Sequence, residues 1–208
     1  MTNKERRLNN LLFIADEDSW KEMNQARNLL YKLNNLNPSD YLEIRKIVNE
    51  LFGKSDETTF LNPPFYCDYG SNIEVGKNCF INYNCTFLDN SKIILGNNVF
   101  LAPNVSIYTA GHPLHPDIRN TGYEYGIDVT IKDNVWIGGN SVICPGVTIG
   151  SNVVIGAGSV VTKDIPDWSL AAGNPCRVIR KITEEDQKYY FKNRKIDEEL
   201  LKKIWIIS

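Results

Sequence analysis

Histidine is scarce in this chain of 208 residues, which contains only two, and long apolar runs are absent. No window holds the roughly 18 apolar residues that a membrane-spanning helix needs, so we expect no membrane partner. The 23 basic and 25 acidic residues nearly balance, and without a basic excess we expect no nucleic-acid partner either. The first twenty residues contain no apolar stretch long enough for a signal peptide, which leads us to expect a cytoplasmic protein.

The cysteines lack the spacing of a metal site or a disulfide framework. Their number is odd, no CxxC pair occurs, and the two histidines lie elsewhere. We therefore predict that no metal is required. We also predict reduced and mostly buried thiols at Cys67, Cys79, Cys85, Cys144 and Cys176.

A period of six residues runs without a gap from Ile131 to Pro166. Its blocks read IKDNVW, IGGNSV, ICPGVT, IGSNVV, IGAGSV and VTKDIP, and each opens with isoleucine or valine. This hexapeptide repeat predicts a parallel β-helix in which three short strands complete one coil. The first residue of each block points inward and stacks on its equivalents in coils roughly 4.8 Å away. Because one coil cannot bury its own apolar face, the stacking of coils supplies the core.

The same period occurs upstream and is followed by a long insertion. Apolar residues recur every six positions from Val75 to Phe87 and from Leu95 to Ile107, with one eight-residue step between the two runs. The pattern then fails until the block that begins at residue 131, and the gap contains GHPLHPDIRNTGYEYG with both histidines. We predict that the chain leaves the β-helix in a loop over residues 111–128. Such an excursion from a rigid scaffold is a common location for functional residues.

Both ends of the chain follow a different pattern. Apolar residues have helical spacing in segment 1–60, where the NPSD motif predicts a break between two helices with Ser39 or Asp40 as the N-cap. Residues 61–182 are expected to form the β-helix domain. The charged segment 183–208 predicts short amphipathic helices.

Three motifs in this chain resemble those of the maltose/galactoside O-acetyltransferases, which belong to the hexapeptide-repeat acyltransferase superfamily. They are YTAGHP at Tyr108–Pro113, NVWIGGN at Asn134–Asn140 and AAGNPCRVI at Ala171–Ile179, and the resemblance covers nearly the whole chain. It implies an all-β core that is a left-handed parallel β-helix, with an N-terminal helical segment and short C-terminal helices. It also implies acetyl-CoA as cosubstrate, a sugar-like acceptor with a reactive hydroxyl, and a homotrimer with active sites between neighbouring subunits.

Transfer of an acetyl group from a thioester to a hydroxyl needs a base, because an alcohol is a weak nucleophile at neutral pH. Histidine meets that need, and general-base catalysis contributes about 10²–10⁴-fold. The resemblance assigns this role to His112 of the GHP motif, whereas His115 lies further out in the loop and is expected to have no catalytic role. The resemblance also implies that the backbone N–H of Gly139 donates a hydrogen bond to the oxyanion. A covalent intermediate on Cys85 or Cys144 is disfavoured, because both occupy packing positions of the repeat.

The resemblance also assigns residues to the acceptor. Hydrogen-bonding side chains for a polyhydroxyl ligand are expected in FIADED, CDYGSN, INYN and LDN, at Asp16, Asp68 or the adjacent Tyr69, Asn82, and Asn90 together with Asp89. Asn82 and Asn90 are also explained as turn residues of the repeat, and this alternative stays open.

For the cosubstrate, the resemblance implies contacts along the β-helix and cations for the phosphates. These are expected at Gly139, Ala157, Thr162, Lys163, Arg177 and Arg180. Arg177 and Arg180 have the alternative of being solvated charges. Trp136 either flanks the pantetheine channel or contacts a neighbouring subunit.

The sequence leaves two alternatives to O-acetylation of a sugar open and excludes a third. An acetyltransferase of the same fold that acts on another hydroxyl or amine, such as serine, a xenobiotic or an amino sugar, stays open. A catalytically inactive trimeric binding protein also stays open. A β-helix carbonic anhydrase needs three histidines on its metal, and two histidines in the whole chain exclude it.

Overall fold

The computed structural model describes residues 1–207, so Ser208, the last residue of the predicted segment 183–208, lies outside the described residues. Three helices precede the β-helix, namely α1 (Asn3–Leu8), α2 (Glu17–Asn34) and α3 (Tyr41–Leu51). One of the two predicted N-caps is confirmed, because the carboxylate of Asp40 accepts a hydrogen bond from the first turn of α3.

Short parallel strands form three sheets that wind around one apolar core, which confirms the predicted left-handed parallel β-helix, here of about six coils. The first sheet contains β1 (Phe60–Leu61), β4 (Phe80–Ile81), β7 (Phe100–Leu101), β12 (Trp136–Ile137), β15 (Val154–Ile155) and β17 (Ser169–Ala172). The second contains β2 (Phe65–Cys67), β5 (Cys85–Leu88), β8 (Ser106–Tyr108), β13 (Val142–Ile143) and β16 (Val160–Val161). The third contains β3 (Ile73–Val75), β6 (Ile93–Leu95), β11 (Val129–Ile131) and β14 (Thr148–Ile149).

The inward residues of the repeat stack as the period predicts. Ile137 pairs with Leu101 in one neighbouring coil and with Ile155 in the other, and Ile131 stacks on Ile149 in the same way. Each of these side chains is at most 1% exposed. Burial of a side chain of this size contributes roughly 1.5–3 kcal/mol, so this apolar column is the main stabilising element of the fold.

Helices α2 and α3 close one end of the apolar column. Their buried residues include Leu30, Leu33, Ile44 and Leu51, which belong to the same core as the first coil. Helix α2 packs on β2, and α3 packs on β1. The helical spacing in segment 1–60 therefore marks a cap that shields the first coil from water.

Asparagines form the corner between the third sheet and the first. Asn78, Asn98, Asn134 and Asn152 occupy equivalent turns and have φ angles of 54°, 55°, 59° and 59°. This left-handed backbone is less unfavourable for asparagine than for most other side chains. The side-chain amide of Asn98 donates to Asn134, and that of Asn134 donates to Asn152, each at 2.9 Å. Side chains as well as backbone therefore join the turns of successive coils.

The chain leaves the β-helix between β8 and β11. This excursion contains β9 (Ala110–Gly111), the short helix α4 (Pro116–Arg119) and β10 (Tyr125–Gly126), and β9 pairs antiparallel with β10. Gly111 faces Tyr125 across the pair, and a Cβ on this glycine would lie 2.4 Å from the tyrosine ring. A larger residue at this position would therefore push the two strands apart.

The C-terminal segment combines the predicted short helices with a hairpin that was not predicted. Strand β18 (Arg177–Lys181) pairs with β17 and is followed by a 3₁₀ helix at Glu184–Lys188. The hairpin of β19 (Tyr189–Phe191) and β20 (Arg194–Lys195) comes next, and α5 (Glu198–Ile207) ends the described chain. Aromatic residues favour a strand in β19, although the charged residues around it follow a helical pattern.

The asparagine corner yields a test of stability. We expect Asn134→Ala to lower the free energy of unfolding by about 1–2 kcal/mol, because alanine loses two amide hydrogen bonds and adopts the left-handed backbone less readily. Asn134→Gly is the matched control, since glycine loses the same bonds without the backbone strain, and it should fall between alanine and the native residue. Thermal unfolding of the three proteins measures this order, and equal losses in both variants would contradict the backbone part of the explanation.

Candidate active site

The two histidines lie in different surroundings. His112 directly follows β9, and the antiparallel register of β9 with β10 places it opposite Glu124. His115 begins helix α4, where its Nδ1 accepts a hydrogen bond from the N–H of Asp117 at 3.3 Å, and its side chain is 69% exposed. His115 therefore has a structural partner in the helix cap, whereas His112 lies beside a carboxylate where the excursion leaves the β-helix.

Polar side chains gather around Glu124. Its Oε2 accepts a hydrogen bond from Nδ2 of Asn90 at 3.1 Å. Burial raises the pKa of the Glu124 carboxyl, while the nearby His112 opposes that shift and Asp68 adds to it. Burial also raises the pKa of the Asp68 carboxyl. The structure therefore gathers two of the predicted acceptor residues, Asp68 and Asn90, around Glu124 beside His112, and we call this polar cluster the cleft.

Asp89 supports the backbone of this cleft. Its side chain is fully buried and accepts hydrogen bonds from the N–H groups of Asp68 at 3.0 Å, Tyr69 at 2.9 Å and Asn72 at 3.4 Å. Burial raises the pKa of Asp89 to about 6, although the hydrogen bonds from the backbone act in the opposite direction. The LDN motif therefore holds the CDYGSN turn of the preceding coil in position.

Two charged residues of this cleft were not predicted from the sequence. Glu124 could have been found from the hairpin signal, because a strand that leaves with GHP and returns with GYEYG sets these two residues opposite each other. Arg7 has no comparable signal. Its guanidinium is 1% exposed, donates to Glu22 at 2.8 Å and lies 3.7 Å above the ring of Tyr69. Its Nε and Nη1 have no hydrogen-bond partner in segment 1–207.

Asp16 and Asn82 have local structural partners. The carboxylate of Asp16 caps helix α2 by accepting hydrogen bonds from the N–H and the hydroxyl of Ser19 at 3.0 and 2.9 Å, and these bonds lower the pKa of Asp16. Oδ1 of Asn82 accepts a hydrogen bond from the N–H of Tyr83 at 2.9 Å, which fits the turn interpretation. Across residues 1–207, no hydrogen bond links either side chain to His112.

The predicted site residues lie on two different corners of the β-helix. The corner that follows strands of the second sheet carries Asp68, Asn90, the excursion with His112, Thr162 and Lys163. The corner that follows strands of the first sheet carries Asn82, Gly139 and Ala157. One chain therefore does not bring the two groups into a single site.

The first-sheet corner presents backbone donors. Gly139 and Ala157 occupy equivalent turns of successive coils, and their N–H groups make no backbone hydrogen bond in the part of the chain that the structure describes. A Cβ on Gly139 would lie 3.0 Å from the carbonyl oxygen of Pro103, which limits the size of this residue. N–H groups of this kind are suited to contact a ligand.

The three residues that are predicted to bind the phosphates differ in the hydrogen bonds and ion pairs that they make within the chain. The guanidinium of Arg180 makes a bidentate pair with Asp186 at 2.8 and 2.7 Å, and this hydrogen bonding raises its pKa. Arg177 is exposed and donates from Nη1 to the carbonyl oxygen of the preceding residue at 2.8 Å. Lys163 is exposed at the second-sheet corner. Lys163 and Arg177 are therefore more available to a phosphate than Arg180.

Trp136 lies on the outer face of the first sheet. It is 54% exposed and lines, together with the half-exposed Phe100 of the neighbouring coil, a shallow cavity of about 180 Å³. A wide apolar ring exposed on a flat sheet is suited to contact another surface. This favours the subunit-contact alternative for Trp136.

The remaining predictions about the chain's chemistry concern membranes, metals and thiols. Within residues 1–207, no helix combines the length and the apolar character needed to cross a bilayer. The same residues contain no group of three or more His, Cys, Asp and Glu side chains placed to hold a metal ion. All five cysteines are free and four are buried, which confirms the predicted mostly buried thiols. Burial raises the pKa of Cys85 to about 11, so this thiol is a poor nucleophile.

Three family models match successive parts of the chain. A maltose acetyltransferase hexapeptide capping motif matches residues 6–56, which include helices α2 and α3. A hexapeptide repeat of succinyl-transferase matches residues 72–109. The bacterial transferase hexapeptide (six repeats) matches residues 128–163. The matches leave out most of the excursion and the C-terminal segment.

Named relatives extend the similarity over most of the chain. The galactoside O-acetyltransferase of Escherichia coli K12 is 46% identical over 173 residues, which are 83% of this chain and 85% of that protein. The crystal structure of a maltose O-acetyltransferase from Clostridium difficile 630 is 52% identical, with a TM-score of 0.87 over 88% of this chain and 99% of that one. A galactoside acetyltransferase in complex with coenzyme A is 42% identical, with a TM-score of 0.88 over 95% of this chain and 100% of that one. The chain therefore belongs to the maltose/galactoside O-acetyltransferase family of hexapeptide-repeat acyltransferases and is an O-acetyltransferase.

Proposed function

We propose that this enzyme transfers the acetyl group of acetyl-CoA to a hydroxyl of a sugar-like acceptor, of the maltose/glucose or galactoside type, with His112 as general base. The observation that carries the proposal is the position of His112 at a cleft with Asp68, Asn90 and Glu124. Hydrogen-bonding side chains of this kind suit a polyhydroxyl ligand. The related structure with bound coenzyme A supports acetyl-CoA as the cosubstrate.

The reaction is a direct transfer. His112 removes the proton from the acceptor hydroxyl as its oxygen attacks the thioester carbonyl carbon. The N–H of Gly139 stabilises the oxyanion of the tetrahedral intermediate. The carbon–sulfur bond then breaks, and the proton held by His112 passes to the departing sulfur of coenzyme A. The acetyl ester, free coenzyme A and neutral histidine result.

Backbone and cationic groups hold the cosubstrate in this proposal. The N–H group of Ala157, the backbone around Gly139 and the side chain of Thr162 contact the pantetheine arm, while the N–H of Gly139 is directed at the oxyanion. Lys163 and Arg177 bind the phosphates as exposed cations. Arg180 binds a phosphate only when its ion pair with Asp186 is broken. The use of acetyl-CoA and the free thiols favour a cytoplasmic location.

The active form is a homotrimer in which neighbouring subunits share each site. His112 lies on the second-sheet corner, whereas Asn82 and Gly139 lie on the first-sheet corner. Placing both corners at one acceptor requires a second copy of the chain. In this arrangement Asn82 reaches the acceptor from the neighbouring subunit, and Asp16 contacts the acceptor from the N-terminal helical segment.

Replacement of each histidine tests the base. His112→Ala should lower kcat by about 10²–10⁴-fold while binding of coenzyme A is retained, and His115→Ala, the matched control from the same loop, should lose less than about tenfold. The rate of the native enzyme should rise with pH, because only the neutral ring is a base. Release of coenzyme A is measured with glucose, maltose, galactosides, serine, amino sugars and xenobiotics.

The outcomes of that experiment test the acceptor, the reaction and the identity of the base separately. Preference for a serine, amine or xenobiotic acceptor would replace the sugar in the proposal. Failure of the native enzyme to acetylate any acceptor, with coenzyme A still bound, would contradict the proposed reaction and favour a binding protein. An inactive H115A beside an active H112A would reverse the assignment of the base.

Replacement of the cations tests the phosphate contacts. Lys163→Ala and Arg177→Ala should each raise KM for acetyl-CoA about tenfold and change kcat less, because charge-assisted hydrogen bonds contribute about 1.5–3 kcal/mol. Arg180→Ala should have the smaller effect, since Asp186 already binds its guanidinium. High salt should reduce all three effects. A KM unchanged in both K163A and R177A would reject these contacts.

The shared site predicts the oligomeric state. Sedimentation equilibrium at micromolar concentration should give about three times the chain mass of 23.7 kDa. H112A is inactive through the second-sheet corner, and a second variant can be made inactive by replacing a residue of the first-sheet corner such as Asn82. Mixing the two variants should restore part of the activity, because some sites in mixed trimers then combine two intact corners. An active monomer would contradict the shared site.

A further inference from the structure

Helix α2 runs along strand β2, and its first turns lie beside the CDYGSN turn that carries Asp68. Near the C-terminal end of α2, the side-chain amide of Asn34 donates to the carbonyl oxygen of Phe65 and accepts from its N–H, each at 2.9 Å. Near the other end, the buried Ser19 is close enough to hydrogen-bond to the hydroxyl of Tyr69. The helix is therefore antiparallel to β2, and its N-terminal half lies next to the cleft.

One flank of this helix is exposed beside Asp68. Trp20 and Arg27 are seven residues apart, about two helical turns, so they share a face. The guanidinium carbon of Arg27 lies 5.9 Å from the centre of the Trp20 ring. Burial raises the pKa of the Asp68 carboxyl, and the positive charge of Arg27 opposes that shift. The flank therefore continues from the carboxylate of Asp68 to the guanidinium of Arg27 and on to the ring of Trp20.

The position of this flank is fixed by the helix core. Met23 lies between Trp20 and Arg27 on the helix and is buried, so it anchors the flank against the rest of the chain. Trp20 itself is 50% exposed. The guanidinium of Arg27 donates from Nη1 to Oδ1 of Asn24 at 3.1 Å, and it forms no ion pair within the part of the chain that the structure describes. An exposed apolar ring and N–H donors that a ligand can reach thus lie side by side.

This combination suits a sugar ring. A hexopyranose has a face of C–H groups, which packs on an aromatic ring, and a rim of hydroxyl groups, which accept hydrogen bonds from a guanidinium. Binding sites for small molecules combine aromatic surface with a few polar groups in the same way. Because the flank adjoins Asp68, a ring bound there would be linked directly to one bound in the cleft.

We propose that Trp20 is the stacking platform for the second sugar ring of a disaccharide acceptor, with the guanidinium of Arg27 donating to the hydroxyls of that ring. The proposal rests on the proposed function and names the class of acceptor for the same site. The first ring lies in the cleft with its reactive hydroxyl at His112 and another hydroxyl at Asp68. The glycosidic bond then leads the ligand past Arg27 to the exposed indole.

The test compares a monosaccharide with the disaccharide that extends it, namely glucose with maltose and galactose with lactose. The native enzyme should have the lower KM for the disaccharide. Trp20→Ala should raise KM for the disaccharide about 5–10-fold, because the stacked ring loses its platform, and change KM for the monosaccharide less than twofold. W20F should fall between alanine and the native residue, since a phenyl ring offers a smaller face. The reacting groups are untouched, so kcat should stay within twofold.

Tyr31→Ala is the matched control. Tyr31 lies on the same flank of α2, about three turns further from the cleft, and is 73% exposed. Y31A should keep the native KM for both sugars. Thermal unfolding and sedimentation of each variant verify that it is folded and assembled as the native enzyme is.

The outcomes separate this inference from the proposed function. Acetylation of both sugars by the native enzyme with equal KM, or an equal change of KM for both sugars in W20A, would overturn the platform and leave the sugar acetyltransferase intact. A rise of the disaccharide KM in Y31A as large as that in W20A would also overturn it. Absence of acetyl transfer to every sugar, with transfer to another acceptor, would reject the proposed function and the platform with it.

Discussion

The stacking of one inward apolar side chain in every six residues is the interaction on which this structure depends. It fixes where each strand ends, and it therefore fixes which corner of the β-helix receives the residues that follow. Asp68, Asn90 and the excursion with His112 share a corner because each follows a strand of the second sheet. A repetitive core thus brings together residues that are far apart in the chain to form the cleft. The core positions these residues without itself contacting the ligands.

The features of this molecule that depend on the pattern of residues close together in the sequence could be predicted. The period from Ile131 to Pro166 predicts the core, its interruption predicts the excursion, and the GHP motif marks His112. Arg7 depends instead on segments that meet only in the folded chain, namely α1 and the first coil. Glu124 follows from the local pairing of β10 with β9, for which the GHP and GYEYG segments are the sequence signal. The hairpin near the C-terminus was missed for another reason, since the aromatic residues of β19 are surrounded by charges with helical spacing.

The electrostatics of the cleft are compatible with the proposed sugar-like acceptor, which carries no charge. Asp68, Asp89 and Glu124 lie close together, and burial raises the pKa of each carboxyl. An acceptor that carried a further negative charge would add to this repulsion, whereas hydroxyl groups can donate to the carboxylates at no cost in charge. The same environment accepts a positive charge, which is the charge that His112 acquires during the proposed transfer.

The N-terminal helical segment is part of this cleft as well as a cap on the core. Phe13 forms the backbone bridge to Glu124, and Arg7 of α1 places its cation close enough to oppose the raised pKa of both Asp68 and Glu124. Because Nε and Nη1 of Arg7 have no acceptor among residues 1–207, the guanidinium acts on these carboxyls through its charge, while Glu22 and the ring of Tyr69 hold it in place. A displacement of α1 would therefore remove a backbone contact and the balancing cation at the same time. The charge state of the carboxylate opposite His112 thus depends on the docking of a helix that lies more than a hundred residues earlier in the chain.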